Sequence, residues 1–216
     1  MIMENYTSAM IIGAISDTFW ISTYILVIRR CFIDKTFGIP LIALCTNTSW
    51  EFIFSFIFPY DTAQLYVNIV WFLLDLVILY QYIKFGKKDF KIFPESLFYP
   101  MLVIIFVFSF GAIIAITYEF NDFYGNYSAF ADNMIMSILF VWMLFTRNSI
   151  EGQSIYIAAS KFLGTLLGFI AVYLLFLPSS IFLDFLYSSI FVFDIIYLTC
   201  VYLKHQENKI NPWMRA

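Results

Sequence analysis

Residues 65–85 read LYVNIVWFLLDLVILYQYIKF, an apolar run interrupted by one carboxylate, Asp75, and carrying one cation, Lys84, near its end. A helix needs about 20 such residues to cross the hydrocarbon core of a bilayer. Six further runs of this kind bring the total to seven, with approximate spans 8–28, 38–58, 65–85, 98–118, 129–146, 157–177 and 180–203. The sequence therefore predicts an all-α membrane protein, a seven-transmembrane-helix bundle that forms a single domain over residues 1–216.

The composition agrees with a surface that faces lipid. Of the 216 residues, 62% are hydrophobic and only 12% are charged, whereas about a quarter of a soluble domain is charged. The one histidine, His205, lies in a polar tail, and Cys31, Cys45 and Cys200 show no CxxC spacing. We therefore expect no metal site, no disulfide framework and no cofactor, and no nucleic acid as a partner.

The basic residues indicate how the bundle is oriented. They cluster around the segments after the first, third, fifth and seventh runs, and the alternate segments hold no Lys or Arg. The positive-inside rule then places the N-terminus outside and the C-terminus in the cytoplasm. The expected location is the plasma membrane of a bacterium or the endoplasmic reticulum of a fungus. The twelve basic residues are Arg29, Arg30, Lys35, Lys84, Lys87, Lys88, Lys91, Arg147, Lys161, Lys204, Lys209 and Arg215.

Four carboxylates fall well inside the apolar runs: Asp17, Glu51, Asp75 and Asp194. A charged side chain at the centre of a bilayer costs roughly 2.5–3.5 kcal/mol on insertion scales. Because the basic residues are all assigned to the cytoplasmic side, no Lys or Arg is expected at this depth to pair with them. We expect these carboxyl groups to be hydrogen-bonded, protonated or turned to a polar cavity. Asp132 and Asp184 lie nearer the ends of their runs, so capping or interfacial positions are expected for both.

Helical spacing places aromatic rings one turn from these carboxylates. Two runs repeat the order Asn, Trp, acid, and in both of them Trp follows Asn by three residues, which predicts that their acids turn towards a common pocket. Stripes of aromatic residues are also ordinary packing in a chain that is 22% aromatic. The side chains expected to line the pocket and bind substrate are Asp17, Trp20, Asn47, Trp50, Asn68, Trp71 and Tyr197. Gly164 and Gly168 form a GxxxG pattern, which predicts close helix packing and no chemistry.

Several short motifs resemble those of one enzyme family. Residues 47–52 read NTSWEF and resemble the N-x-x-W-E motif of the membrane-bound terpene cyclases of the pyripyropene and paxilline type. Trp71 with Asp75, and Asp194 within FDIIY at 193–197, match the other acidic positions of that family. The segment RNSIEGQS at 147–154 is similar to its loop between the fifth and sixth helices. The resemblance runs from about residue 13 to 203.

What the resemblance implies is a non-metal terpene cyclase of the isomerase or lyase kind, acting in meroterpenoid biosynthesis. Such enzymes protonate an epoxide or alkene on a lipophilic prenylated substrate and guide the carbocation through ring closure. By the match, Glu51 is the acid, Asp194 its partner, and Asp75 a third catalytic carboxylate. The residues fit this chemistry, since a dry carboxyl group can act as a strong acid and aromatic faces stabilise carbocations.

Other classes of membrane protein remain open from the residues alone. Buried carboxylates suit a small proton-coupled transporter, although no inverted repeat or pair of Pro-broken helices is visible. A retinal protein needs a mid-membrane lysine on the seventh helix, where the sequence has only Lys204 at the cytoplasmic end. A seven-helix receptor would expose more cytoplasmic surface than these short loops supply. Membrane lipid is an expected partner in every case.

Overall fold

The computed structural model describes residues 2–60, 63–90, 94–175 and 180–215, and side chains from Tyr6 onwards except that of Leu175. Within these ranges the chain is helical and contains no strand. Lys91 and Asp61 lie outside the described residues. The long helices are α1 (Ile2–Asp34), α2 (Leu41–Phe52), α3 (Gln64–Phe85), α4 (Phe98–Glu119), α5 (Asn126–Arg147), α6 (Ile155–Leu175) and α7 (Ile181–Glu207).

Six of these helices, all except α2, are long and apolar enough to cross a membrane. Helix α2 has 12 residues and continues into a π-helical turn of 5 residues, Ile53–Ile57. Together they extend roughly 25 Å at 1.5 Å per residue, less than the ~30 Å of a typical hydrocarbon core. The apolar run at 38–58 therefore forms a shorter helix than the sequence predicts. The turn is wide because the Phe58 amide reaches back five residues to the Ile53 carbonyl, at 2.8 Å.

Six helices form a closed ring and one packs outside it. Contacts run from α1 to α6, α7, α5, α2, α3 and back to α1, whereas α4 packs against α2 and α5. A ring of this kind leaves room for a cavity along its axis. Helix α2 contributes mostly buried residues to this interior, which explains how a short helix is stable within an apolar bundle.

The closest helix packing joins α1 and α6, and it depends on the GxxxG pattern. The Ser16 hydroxyl donates to the Gly164 carbonyl at 2.7 Å, and a β-carbon built on Gly164 would lie 2.9 Å from Cδ1 of Trp20. A β-carbon on Gly168 would lie 3.0 Å from the Ser16 hydroxyl. The predicted role of these glycines is confirmed, since only a missing side chain permits this approach.

One end of the bundle gathers basic side chains from loops that are distant in sequence. Asp34, at the end of α1, is paired with Arg30 at 2.6 Å and with Arg215 at 2.5 Å, and it accepts from the Gly152 amide at 2.9 Å. Arg147 pairs with Asp89 at 3.0 Å. The segments after α1, α3, α5 and α7 therefore meet at the same end, as the distribution of basic residues predicts.

One basic residue departs from that distribution. Lys161 is the seventh residue of α6 and is completely buried, roughly 9 Å along the helix from its first residue at 1.5 Å per residue. Its ammonium group lies 2.6 Å from Asp194. The expectation that no Lys or Arg lies deep enough to pair with the intramembrane carboxylates was therefore wrong. A single lysine that is paired with a carboxylate can be buried in a helix, because the partner compensates its charge.

The packing of α1 on α6 yields a first prediction. Gly164→Ala should lower the thermal midpoint of the detergent-purified protein, because the new methyl group forces Trp20 out of its position. The matched control is Gly111→Ala in α4, where a β-carbon would meet nothing within 4 Å. There the change should be neutral or stabilising by up to about 1 kcal/mol, the helix-propensity gain of Ala over Gly. Equal midpoints for the two variants would show that the close approach does not limit stability.

Candidate active site

A cavity of about 610 Å³ lies inside the helix ring. Its wall is built by α1, α2, α3, α5 and α6 together with the turns at Tyr60 and residues 124–126, and it includes no residue of α7. The wall carries three carboxyl groups, several aromatic rings and a few amides. The lining side chains expected from the sequence are Asp17, Trp20, Asn47, Trp50, Glu51 and Trp71.

Glu51 is the most deeply buried carboxyl group on this wall, with 1% of the residue exposed. Its Oε1 accepts from the Tyr24 hydroxyl at 2.9 Å and from the Asn47 amide at 3.0 Å. Its Oε2 is buried and has no hydrogen-bond partner. The two oxygens therefore differ in environment: Oε1 accepts two hydrogen bonds, and Oε2 accepts none.

Asp75 lies directly behind Glu51, on α3. Its Oδ2 accepts from the Asn47 amide at 2.9 Å and from the Thr48 hydroxyl at 3.0 Å, and its Oδ1 has no partner. An oxygen of each carboxyl group lies within 3.0 Å of the Asn47 nitrogen, so the two groups are close neighbours. Two carboxyl groups that share a buried site are not readily ionised together, because their like charges repel. Glu51 and Asp75 thus form a pair able to hold a single proton, and only Glu51 reaches the cavity.

The amide of Asn47 organises this pair. Besides the two carboxyl groups, its nitrogen lies 2.5 Å from the Tyr24 hydroxyl. Asn47 and Glu51 are four residues apart on α2, so the helix itself presents both side chains on one face. One amide therefore connects α1, α2 and α3 at the centre of the site.

Trp50 is fixed at the part of the cavity wall that adjoins the start of α5. Its indole N–H donates to the Gly125 carbonyl and to the Ser128 hydroxyl, both at 3.1 Å. Gly125 has a φ of 66°, and a β-carbon there would lie 2.6 Å from the Phe54 ring and 2.8 Å from the Trp50 nitrogen. Glycine at this position therefore allows the turn before α5 to seat the indole.

Asp17 and two further indoles complete the predicted wall. Asp17 is half-buried and bonds the Gln64 side chain, which joins α1 to the start of α3. Trp20 lies edge-on to Tyr24 at 6.0 Å between ring centroids. The Trp71 indole nitrogen is buried without a partner. The cavity thus offers an unused N–H donor, from Trp71, and an unused oxygen on Glu51.

Asp132 is a cavity residue that the sequence reasoning assigned to a helix end. It is 3% exposed, lies on the cavity wall, and has an Oδ1 atom without a partner. Electrostatic interactions connect it to Asp75 and Lys161. The signal that would have found it is the set of polar residues on α5: Ser128 and Asp132 are four residues apart, as are Asn133 and Ser137, and all four are buried.

Asp194 lies apart from this wall. Its Oδ1 is 2.6 Å from the Lys161 ammonium, and the residue lines a second cavity of about 530 Å³ between α6 and α7. Thr165 borders both cavities, so the two are neighbours. The carboxyl group that shares the Asn47 amide with Glu51 is that of Asp75, whereas the sequence expectation paired Glu51 with Asp194.

Two other predicted binding residues are buried but do not line the larger cavity, as far as the described part of the chain extends. Asn68 donates to the Phe54 carbonyl at 3.4 Å and accepts from Gln64 at 3.1 Å, so it joins α3 to the π-helical turn. Tyr197 packs on Phe140 with ring centroids 5.1 Å apart. Both contacts hold helices together. Among the residues described, no three His, Cys, Asp or Glu side chains are grouped so that they could hold a metal ion.

Comparison with known proteins gives a consistent result. Residues 4–207 match the family described as Pyr4-like transmembrane terpene cyclases. Pyr4-family terpene cyclase mfmH of Annulohypoxylon moriforme is 34% identical over 151 residues, which are 68% of this chain and 62% of that protein. Asnovolin H synthase nvfL of Aspergillus novofumigatus is 33% identical over 162 residues, with the same two shares of 68% and 62%.

A third relative is terpene cyclase pyr4 of Aspergillus fumigatus, 29% identical over 153 residues, or 69% of this chain and 64% of that protein. The matched part of the chain thus spans less than two thirds of the length of each of these relatives. No solved structure matches. Because the family match extends over nearly all of the sequence and the helix bundle carries the carboxyl groups of its motifs, this chain belongs to the Pyr4-like transmembrane terpene cyclases.

Proposed function

We propose that this protein is a terpene cyclase that protonates an epoxide or alkene of a lipophilic prenylated substrate and guides ring closure inside the bundle. The observation that carries the proposal is the Glu51–Asp75 pair, two buried carboxyl groups bonded to the same Asn47 amide, one of which reaches a cavity with aromatic walls. The names of the relatives support the same activity. A transporter has less support, because the relatives are named cyclases and synthases.

Glu51 is the proton donor in this proposal. Since Oε1 already accepts two hydrogen bonds, the proton is carried on the Oε2 side, where no protein group other than the neighbouring Asp75 carboxyl competes for it. Transfer of this proton to an epoxide oxygen breaks the C–O bond at the more substituted carbon. The products of that step are a hydroxyl group and a tertiary carbocation. Asp75 supports the donor, because two carboxyl groups that share one proton can pass it between them.

Ring closure follows without further protein chemistry. The π electrons of successive alkenes attack the cation and form carbon–carbon bonds, and the indoles of Trp20, Trp50 and Trp71 attract the moving positive charge by cation–π interaction. A membrane-embedded cavity also limits the water that would trap the cation.

Asp132 is the proposed acceptor of the last proton. Its unpartnered Oδ1 belongs to a residue on the cavity wall, on α5, whereas Glu51 is on α2. Removal of a proton from the carbon next to the final cation leaves an alkene, so the product is an isomer of the substrate. The proton then returns from Asp132 to the Glu51–Asp75 pair, and the enzyme is restored.

We also propose that the bundle spans the membrane seven times, with the N-terminus outside and the C-terminus in the cytoplasm. Support comes from the ion pairs at the basic end of the bundle, where Asp34 pairs with Arg215 and Arg147 pairs with Asp89. Basic segments remain on the cytoplasmic side of membranes. The membrane concerned is the plasma membrane of a bacterium or the endoplasmic reticulum of a fungus.

The orientation can be tested by cysteine labelling of intact cells. Lys88→Cys, exposed at the basic end, should react with an impermeant maleimide only after the membrane is opened. Glu119→Cys, exposed at the end of α4, should react in intact cells. The background control is the unaltered chain, in which Cys31 and Cys45 are buried and Cys200 is partly exposed. Labelling of residue 88 from outside would reverse the proposed topology.

The catalytic role of Glu51 yields a sharper prediction. Glu51→Gln retains the size and hydrogen-bonding capacity of the side chain but removes the acid. Turnover of an epoxidised prenyl substrate should fall by roughly 10²–10⁴-fold, the usual contribution of a general acid. The measurement is product formation by chromatography and mass spectrometry, at matched amounts of folded protein.

The matched control for this measurement is Glu119→Gln, which makes the same change at an exposed carboxylate at the end of α4. Its turnover should stay within about twofold of the unaltered protein, as expected for a surface change. Normal turnover in Glu51→Gln would exclude Glu51 as the donor, and equal losses in both variants would point to a general effect of removing charge.

A further inference from the structure

The most completely bonded charge in the described interior is the ammonium group of Lys161. It lies 2.6 Å from Asp194 Oδ1, 2.7 Å from the Ser137 hydroxyl and 3.0 Å from Asn133 Oδ1. These three contacts use all three N–H donors of a lysine. The groups come from α5, α6 and α7, so the ammonium joins three helices at one point.

This cation is adjacent to the larger cavity without lining it. The Lys161 nitrogen lies 5.8 Å from the centroid of the Trp20 ring, and its partner Asn133 is on the cavity wall. Asp132, also on the wall, interacts electrostatically with the same lysine. Lys161 is therefore one layer of side chains behind the surface along which a carbocation would form.

An unpaired positive charge at this position would oppose the proposed chemistry. At an effective dielectric constant of 20, two like unit charges roughly 12 Å apart repel enough to change a rate by about tenfold. The nearest group of opposite charge is Asp194, 2.6 Å away. Both side chains are buried, with 1% of Lys161 and 2% of Asp194 exposed, so water does not screen the pair. With Asp194 in place, Lys161 is already paired; without it, the remaining carboxyl partner of the lysine is Asp132, the proposed acceptor of the last proton.

We infer that Asp194 serves cyclisation as a positioning residue that neutralises and holds Lys161, and that it is not a proton donor. The inference rests on the proposed cyclase function for its effect on turnover. Asp194 bonds Lys161 and not Glu51, and it lies on the second cavity. Its role is to keep a buried cation from repelling the carbocation and from pairing with Asp132.

The decisive experiment removes both charges. Asp194→Asn alone should lower turnover about tenfold or more at matched amounts of folded protein, because Lys161 is left unpaired. Lys161→Met combined with Asp194→Leu should restore turnover to within about threefold of the unaltered protein, since a buried ion pair can often be replaced by apolar residues of similar volume. If Asp194 donates or relays a proton, the double variant will stay as inactive as the single one, and the inference is then wrong.

Two further variants make the result unambiguous. Lys161→Met combined with Glu51→Gln should remain inactive, which shows that loss of the lysine does not bypass the acid. Should the apolar pair fail to fold, the reversed pair Lys161→Asp with Asp194→Lys tests the same point, because it retains one charge of each sign. Inactivity of a folded reversed pair would also count against charge neutralisation.

A binding measurement separates this inference from the proposed function. The probes are a prenyl amine, whose ammonium group mimics the carbocation, and its uncharged carbon isostere. Asp194→Asn should lower the ratio of their affinities about tenfold, and the apolar double variant should restore it. A purely structural role for Asp194 leaves that ratio unchanged. Suppose the affinity ratio falls in Asp194→Asn and is restored in the double variant, but the unaltered protein forms no cyclised product. The proposed function then fails and the inference on Lys161 stands. An affinity ratio that is unchanged in Asp194→Asn overturns the inference.

Discussion

The site depends on the amide of Asn47, which lies within hydrogen-bond distance of Glu51, Asp75 and Tyr24. Carboxyl groups inside a bilayer are costly unless they are bonded or protonated, and this one nitrogen supports two of them. Because Asn47 and Glu51 are one turn apart on α2, the short helix must lie inside the bundle, between α3 and α5, with the π-helical turn at its end. The cavity is the space that remains in front of this group.

Two electrostatic layers follow from this arrangement. The inner layer, on α2 and α3, is the Glu51–Asp75 pair, which can hold a proton at the cavity wall. The outer layer, on α5, α6 and α7, contains Lys161 and Asp194, whose charges cancel behind the wall. In the proposed mechanism, separating the proton donor from a neutralised ion pair lets the carbocation form without meeting an uncompensated positive charge. Helix α7 therefore contributes to the site through a lysine of α6, although none of its residues lines the larger cavity.

Much of the helical architecture could be predicted from the sequence, because apolar runs and helical spacing are local properties. Helical spacing puts Asn47, Trp50 and Glu51 on one stripe, and all three line the cavity; the glycines of α6 have the packing role that their spacing predicts. The shortness of α2 could not be read from the run at 38–58, since the π-helical turn depends on contacts such as the one from Asn68 to the Phe54 carbonyl. Lys161 was misassigned because it lies close in sequence to a basic loop, while its depth is set by the point at which α6 begins. Asp132 was missed because the distance from the end of a hydrophobic run does not reveal which way a side chain points.

The central claim is that Glu51 presents a proton to the substrate within this cavity. The most direct measurement is an experimental structure with a bound uncyclised substrate analogue, whose epoxide is replaced by a less reactive oxygen heterocycle. If Glu51 is the donor, the heterocycle oxygen will lie within about 3.2 Å of Glu51 Oε2, with the prenyl chain along Trp20, Trp50 and Trp71. An analogue bound with its oxygen against Asp194, or in the cavity between α6 and α7, would contradict the assignment of the donor.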